Sequence, residues 1–339
     1  MPKKIIPLIL CLALLSQVWA QAPQPANDLA NTPNAAALLT EIQRLRGHLE
    51  ALKLSAGEAN SVTALLNRSE RAAQAGHVFL SLHLLQYAVP SLTGYAYLKA
   101  QTTQGKMTMP AFEEEWKRLG PELIARQRSL GVPPKLPFAV QAVWERALTQ
   151  VQPNYQASLL YGQEAGIESG LLYMGLAQGQ LEFLAFCRTL KFAVAAASPL
   201  PAPTAELAAT EAEVLAAYRQ FDSPEQHGAF IRVNSALKVA QDLAQERRAH
   251  GVWLQTLEAR RSLTAILVTN TENRAAADLR AQSETVRAQL GKANTDQSLG
   301  WLYWQLAEAA LATDDLKAAN AILHHVLPRY FQAQTRNKR

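Results

Sequence analysis

Apolar residues along this chain recur in steps of three and four, and no comparably long run alternates with period two, a pattern that predicts helices throughout. Leu38, Ile42, Leu45, Leu49 and Leu52 form one narrow apolar stripe, with Thr32-Pro33 placed as N-cap and first helical residue. The stripe is too short for a sustained coiled coil. Val62, Leu65, Leu66, Ser69, Ala72 and Ala73 mark a second helix that Gly76 ends as its C′ residue. Val78, Leu82, Leu85 and Val89 mark a third, stopped by Pro90, so that two helices of about thirteen residues make a hairpin.

Further along, Phe112, Trp116, Leu119, Leu123 and Ile124 predict a helix after a Gly- and Pro-punctuated region near 103–110. Pro133, Pro134 and Pro137 then interrupt before another over Val140 to Val151. Ser223-Pro224-Glu225-Gln226 has the spacing of a capping box, and Phe230, Val233, Leu237, Ala240 and Leu243 carry a helix on to Gly251. Trp253 to Leu267 predicts the next, Leu279 to Leu290 one ended by Gly291, and Leu299 to Phe331 a last hairpin. The fold class expected is all-α: antiparallel hairpins arranged as a solenoid or as two packed subdomains.

The most apolar stretch, Leu171 to Ala197, contains Glu182, Arg188 and Lys191. Each charge inside a span costs roughly 2.5 to 3.5 kcal/mol, so the stretch is expected as a buried helix and not a membrane span. Gly162, Gly166, Gly170, Gly175 and Gly179 recur in steps of four or five, placing bare backbone along a helix face. Close helix approach accounts for such a stripe, and the wall of a pocket for an apolar ligand is the alternative.

Residues 1–20 have the features of a cleaved leader: Lys3 and Lys4, an apolar run from Ile5 to Leu15, and Val18-Trp19-Ala20 before Gln21. The apolar run is shorter than the ~20 residues a helical span requires, and Cys11 lacks the small residue before it that lipidation needs. Cleavage after Ala20 and a periplasmic or secreted location are therefore expected. Removal of residues 1–20 shortens 339 residues to 319 and, with Lys3 and Lys4 gone, takes the formal charge from +5 to +3. So mild a balance offers no nucleic-acid footprint.

The remaining organisation follows from composition: a flexible linker at 21–35, an N-terminal helical domain at 36–197, a proline-rich linker at 198–204, a C-terminal helical domain at 205–333 and a basic tail at 334–339. Cys187, alone after cleavage, lies in an apolar helix as a small hydrophobe, and no C-x-x-C is present.

Two hairpins carry a resemblance. Tyr303, Leu306, Ala307, Ala310, Ala319, Leu323 and Val326, with Pro328 ending the second helix, fall at spacings similar to the tetratricopeptide repeat. Leu65, Ser69, Ala72, Ser81, Leu85, Ala88 and Pro90 do the same over 62–90, with Arg68 where that repeat has Leu. The register fails between them, where Leu171 and Phe183 occupy positions that need small residues. The resemblance, confined to 62–90 and 299–331, implies binding of a protein or peptide on a helical surface, without catalysis.

Little local chemistry competes with that reading. No two of the seven histidines stand three or four apart as metal ligands on a helix would. Glu113-Glu114-Glu115 reads as a solvated face beside Lys117 and Arg118, and Asn67-Arg68-Ser69 is an incidental sequon. No nucleophile elbow, P-loop or dinucleotide fingerprint is present. Glu168-Ser169-Gly170 followed by Gly175-Leu176-Ala177-Gln178 faintly resembles the soluble lytic transglycosylases. That resemblance implies a general acid/base at Glu168 in a cleft, although the gap is too short, Ala stands for Met, and the aromatic after Glu-Ser is missing. Trp301 and Trp304, with Tyr303 between them, could form a recognition platform or pack internally. The expectation is an exported, noncatalytic helical protein without cofactor or metal. It binds a protein or peptide partner in the cell envelope, with Trp301, Tyr303 and Trp304 as contact candidates. A cell-wall enzyme using Glu168, or an apolar-ligand carrier, is the alternative.

Overall fold

The computed structural model describes residues 33–103, 105, 107–130, 136–192, 202–220, 224–267, 274–292 and 296–336. The leader expected over residues 1–20, most of the linker expected at 21–35 and residues 198–201 of the expected proline-rich linker lie outside them. The described residues are all-α, with no strand among them. They form α1 (Pro33–Leu52), α2 (Ala56–Gln74), α3 (Val78–Thr102), α4 (Met109–Leu130), α5 (Phe138–Glu164), α6 (Ile167–Cys187), α7 (Pro203–Gln220), α8 (Pro224–Gln245), α9 (Ala249–Leu267), α10 (Ala276–Gly291), α11 (Ser298–Leu311), α12 (Leu316–Asn320) and α13 (Leu327–Arg336). A π-helical stretch, Ala321–Val326, joins the last two. No helix among the described residues is long and apolar enough to cross a membrane.

The chain divides into two compact units, one built from α1–α4, α5 from Ala147 onward and α6, the other from 136–146 and the described residues beyond Lys191. Residues 136–146, assigned above to the N-terminal domain, thus cluster with the C-terminal helices. Pro203 and Thr204, assigned to the linker, open α7, and Gln334–Arg336, assigned to the tail, belong to α13.

In the first unit, Ser55 opens α2 with its backbone N–H on the Glu58 carboxylate (3.0 Å). Gly76 closes α2 at φ 73°. The N–H of Gly76 donates to Ala73 and that of His77 to Ala72, the paired bonds of a Schellman cap. Contrary to expectation, Pro90 does not stop α3, which runs on to Thr102. An interior proline costs about 3 kcal/mol, but Leu80, Leu82, Leu85, Val89 and Leu92 are all buried along this helix. Each fully buried side chain of that kind contributes about 1.5–3 kcal/mol, which outweighs the penalty.

Helix α6 lies against α3 through the glycines. A Cβ at Gly179 would lie 2.5 Å from Pro90 Cα, and one at Gly175 would lie 2.7 Å from Gly94 Cα. The α4–α5 seam is closed by a reciprocal pair: Trp116 Nε1 donates to the Tyr155 carbonyl (3.1 Å), Tyr155 Oη to the Trp116 carbonyl (2.7 Å), and the rings stack at 4.7 Å.

In the second unit, Leu207 and Val214 of α7, Phe230, Val233 and Leu243 of α8, and Val252 and Leu263 of α9 share one core. Helix α8 stops at Gln245 rather than at Gly251, closed by Arg247 at φ 57° in a second Schellman cap, with Arg248 N–H donating to Leu243. Gly251 instead lies inside α9, where a Cβ would meet Leu243 at 2.7 Å and Glu145 at 3.2 Å. Pro328 likewise does not end the last helix, which continues to Arg336. The wider π-helical turns just before this proline accommodate its missing N–H and its ring.

The first turns of α5 are held in this unit by side chains that accept backbone N–H groups. Asp296 accepts from both Phe138 (2.5 Å) and Ser298 (2.8 Å), so one carboxylate caps the N-termini of α5 and α11. Buried Glu145 accepts from Gly251 N–H (2.8 Å) in the first turn of α9 and contacts His250 Nδ1 at 2.9 Å. Arg260, also buried, reaches Glu206 (3.0 Å), Glu213 (2.7 Å) and Thr210 (3.0 Å) on α7, and Arg329 of α13 shares Glu213 (3.0 Å).

Candidate interaction surface

The aromatic candidates of α11 turn inward. Trp304 is buried, its Nε1 donating to both the carbonyl and the hydroxyl of Ser283 on α10 (3.2 and 2.9 Å), and the Arg287 guanidinium lies 5.8 Å over its ring. Tyr303 is fully buried, and its hydroxyl donates to the Leu254 carbonyl of α9 (3.1 Å). Trp301 is half-buried, edge-on to Trp304 at 5.3 Å. Tyr303 and Trp304 are therefore packing residues and not an exposed platform. Their polar atoms find partners inside the fold, which lets large rings be buried there.

Glu168 stands exposed in the first turn of α6, just after Gly166, whose φ is 108°. A carboxylate there is favoured by the helix dipole. The glycines do not line one helix face. Gly162 closes on α5, Gly166 is the turn, and Gly170, Gly175 and Gly179 lie on α6. A Cβ at Gly162 would meet the Phe112 ring at 2.5 Å, and one at Gly170 the Ser158 carbonyl at 2.7 Å. Gly162, Gly170, Gly175 and Gly179 are filled against protein atoms, as close helix approach requires, so bare backbone there builds no pocket wall. Cys187 is buried, and burial pushes its thiol well above the ordinary range, away from the reactive thiolate.

The large apolar side chains that do face solvent gather at two places. In the second unit they are Leu215 and Tyr218 on α7, Ile231 on α8 and Leu267 at the end of α9. In the first unit they are Leu160 (51% exposed) and Tyr161 (37%) in the last turns of α5.

Tyr161 stacks on Tyr173 of α6, ring centroids 4.6 Å apart and planes within 21°. Burial, with the neighbouring Tyr161 hydroxyl adding to it, pushes the Tyr173 phenol up to about 12. The Tyr173 ring is thus neutral across the ordinary pH range. The same hairpin tip exposes Glu164 and Glu168 on either side of the Ala165-Gly166 turn. Aromatic surface, an aliphatic side chain and carboxylates converge there on the ends of two well-packed helices, a surface that can bury apolar area and hold charge without reorganising.

The sequence pattern did not single out Leu160, Tyr161 or Tyr173. The exposure of Leu160 and Tyr161 follows from the Gly162 face of α5 turning toward Phe112, which leaves the neighbouring positions outside. Compared with protein-family models, curated proteins and solved structures, the chain matches none.

Proposed function

We propose that the chain is an exported, noncatalytic helical protein that binds a protein partner in the cell envelope. The observation that carries this reading is the exposed Leu160 and Tyr161 at the α5–α6 tip, with Tyr161 stacked on half-buried Tyr173. Tyrosine supplies large contact area at little conformational cost, and such residues concentrate binding energy in interfaces. Export rests on the leader pattern of residues 1–20.

A tetratricopeptide-like construction is supported locally by the α2–α3 crossing. Ser69 and Ser81 hydroxyls meet there at 2.9 Å, with Ala72 and Ala88 buried beside them, so small residues let the two helices approach.

Crosslinked capture of the mature protein from envelope fractions tests the reading, run beside the double substitution Leu160→Asp, Tyr161→Asp. The parent is expected to recover a specific partner, and the double variant to lose roughly 90% of it while keeping its helical circular dichroism, since truncating interface anchors typically costs 2 kcal/mol or more. Equal recovery by the two proteins, or no specific partner at all, overturns it.

A further inference from the structure

The tip surface has a definite electrostatic character. Between Arg146 and Arg188 the chain holds Glu164, Glu168 and Glu182 and not one Lys, Arg or His, although the whole chain is net positive with 33 basic against 28 acidic residues. Glu182 is engaged, accepting from Thr93 at 2.8 Å on the α3–α6 seam. Glu164 and Glu168 are exposed at the tip and have no ion pair. That sets them apart from Glu41, Glu70, Glu115 and Glu213, each bound to an arginine.

Leu160 and Glu164 are four apart on α5 and so share a face, with Tyr161 beside them and Tyr173 stacked against it. An ionised carboxylate only accepts hydrogen bonds, so an occupant must donate to it. Ammonium and guanidinium groups do this most strongly, and both also favour the faces of phenol rings.

Resting on the partner-binding reading above, we infer that the α5–α6 tip receives a cationic segment of a protein. Its Lys or Arg side chains meet Glu164 and Glu168, and its apolar side chains lie on Leu160 and the Tyr161–Tyr173 pair.

Panning a random peptide display library on the intact mature protein, with Leu160→Ala, Tyr161→Ala, Glu164→Lys, Glu168→Lys as counter-selection, tests the chemistry. A representative selected peptide is then synthesised and its affinity measured by fluorescence anisotropy at low and high salt. The expected outcome is enrichment of peptides that combine Lys or Arg with aliphatic or aromatic residues. Glu164→Gln, Glu168→Gln should weaken the peptide by about fivefold or more at low salt, the loss shrinking at high salt, while Leu160→Ala, Tyr161→Ala weakens it at both. Selection of acidic or uncharged peptides, peptides that bind the counter-selection variant equally well, no enrichment, or tighter binding of a neutral N-acetylated oligosaccharide each overturns the inference. A partner captured from the envelope but indifferent to Glu164 and Glu168 would leave the proposed function standing and remove only its cationic chemistry.

Discussion

Individual side chains in this protein carry information mainly where burial and polarity conflict. Glu308 of α11 is such a case: its carboxylate accepts from the Ser283 hydroxyl on α10, the same residue that receives Trp304 Nε1. Burial, partly offset by that hydroxyl and by Arg287 and Arg280, pushes the Glu308 carboxyl above its ordinary range. The native state therefore binds this proton more tightly than the unfolded chain does. The favourable contribution is complete below the unfolded value and is lost as pH rises through the folded one. Glu308→Gln keeps the hydrogen bond and removes the buried charge. The substituted protein is expected to melt above the parent at neutral pH and with it near pH 4, about the ordinary carboxylate range. Thermal unfolding at the two pH values checks this, and a variant less stable than the parent at neutral pH but level with it near pH 4 would show that the ionised carboxylate is held favourably by its arginine neighbours.

At the scale of elements, the helices were legible in the periodicity while several of their ends were not. Gly76 closes α2 as glycine should, because its type matches the left-handed backbone the cap needs. Arg247 and Asp314 occupy the same left-handed position after α8 and α11, at φ 57° each, and nothing in an arginine announces it. Pro90 and Pro328 were read as stops because proline penalties are local, whereas the compensation is tertiary. It comes from α6 lying on α3 in one case and from the π-helical turns in the other. The glycine stripe was visible in the sequence, but its division by the turn at Gly166 was not, and that division puts Tyr161 on α5 and its stacking partner Tyr173 on α6.

The seam also yields a sharp expectation. Gly179→Ala places a methyl 2.5 Å from backbone Pro90 Cα, which cannot rotate aside, whereas Gly47, exposed on α1, has nothing within 4 Å. Urea unfolding should show Gly179→Ala destabilised by about 1–3 kcal/mol and Gly47→Ala stabilised by roughly 0.5–1 kcal/mol. Similar shifts for both would mean that α3 and α6 do not meet at glycine contact.

For the whole molecule, chain order and compact units diverge at one place, the start of α5. Proline-rich composition suggested a division of the chain near 200, and the second unit does take up the described residues beyond 191. It also takes 136–146: Pro133, Pro134 and Pro137 mark where that stretch begins, but nothing in the composition marks its end inside α5. The reason is chemical: Asp296, Ser298 and Glu145 convert the helix-start N–H groups of Phe138, Ala139 and Gly251 into bonds between segments more than 100 residues apart. Sequence patterns report which N–H groups a helix start leaves unpaired, but not which distant carboxylate supplies the acceptor.

Glu145 bears most on this exchange, because it is buried and meets both His250 and the Gly251 amide. Glu145→Ala leaves that amide without its acceptor in a site water reaches poorly, and an unsatisfied buried donor costs about 1–3 kcal/mol. The expected result is a fall of that size in the stability of the second unit, with faster hydrogen exchange at Gly251 and through the first turn of α9. Glu114→Ala, exposed on α4, serves as the exposed-carboxylate control and should change neither. Unchanged exchange at Gly251 in Glu145→Ala would mean that apolar packing, and not the carboxylate, draws 136–146 into the C-terminal helices.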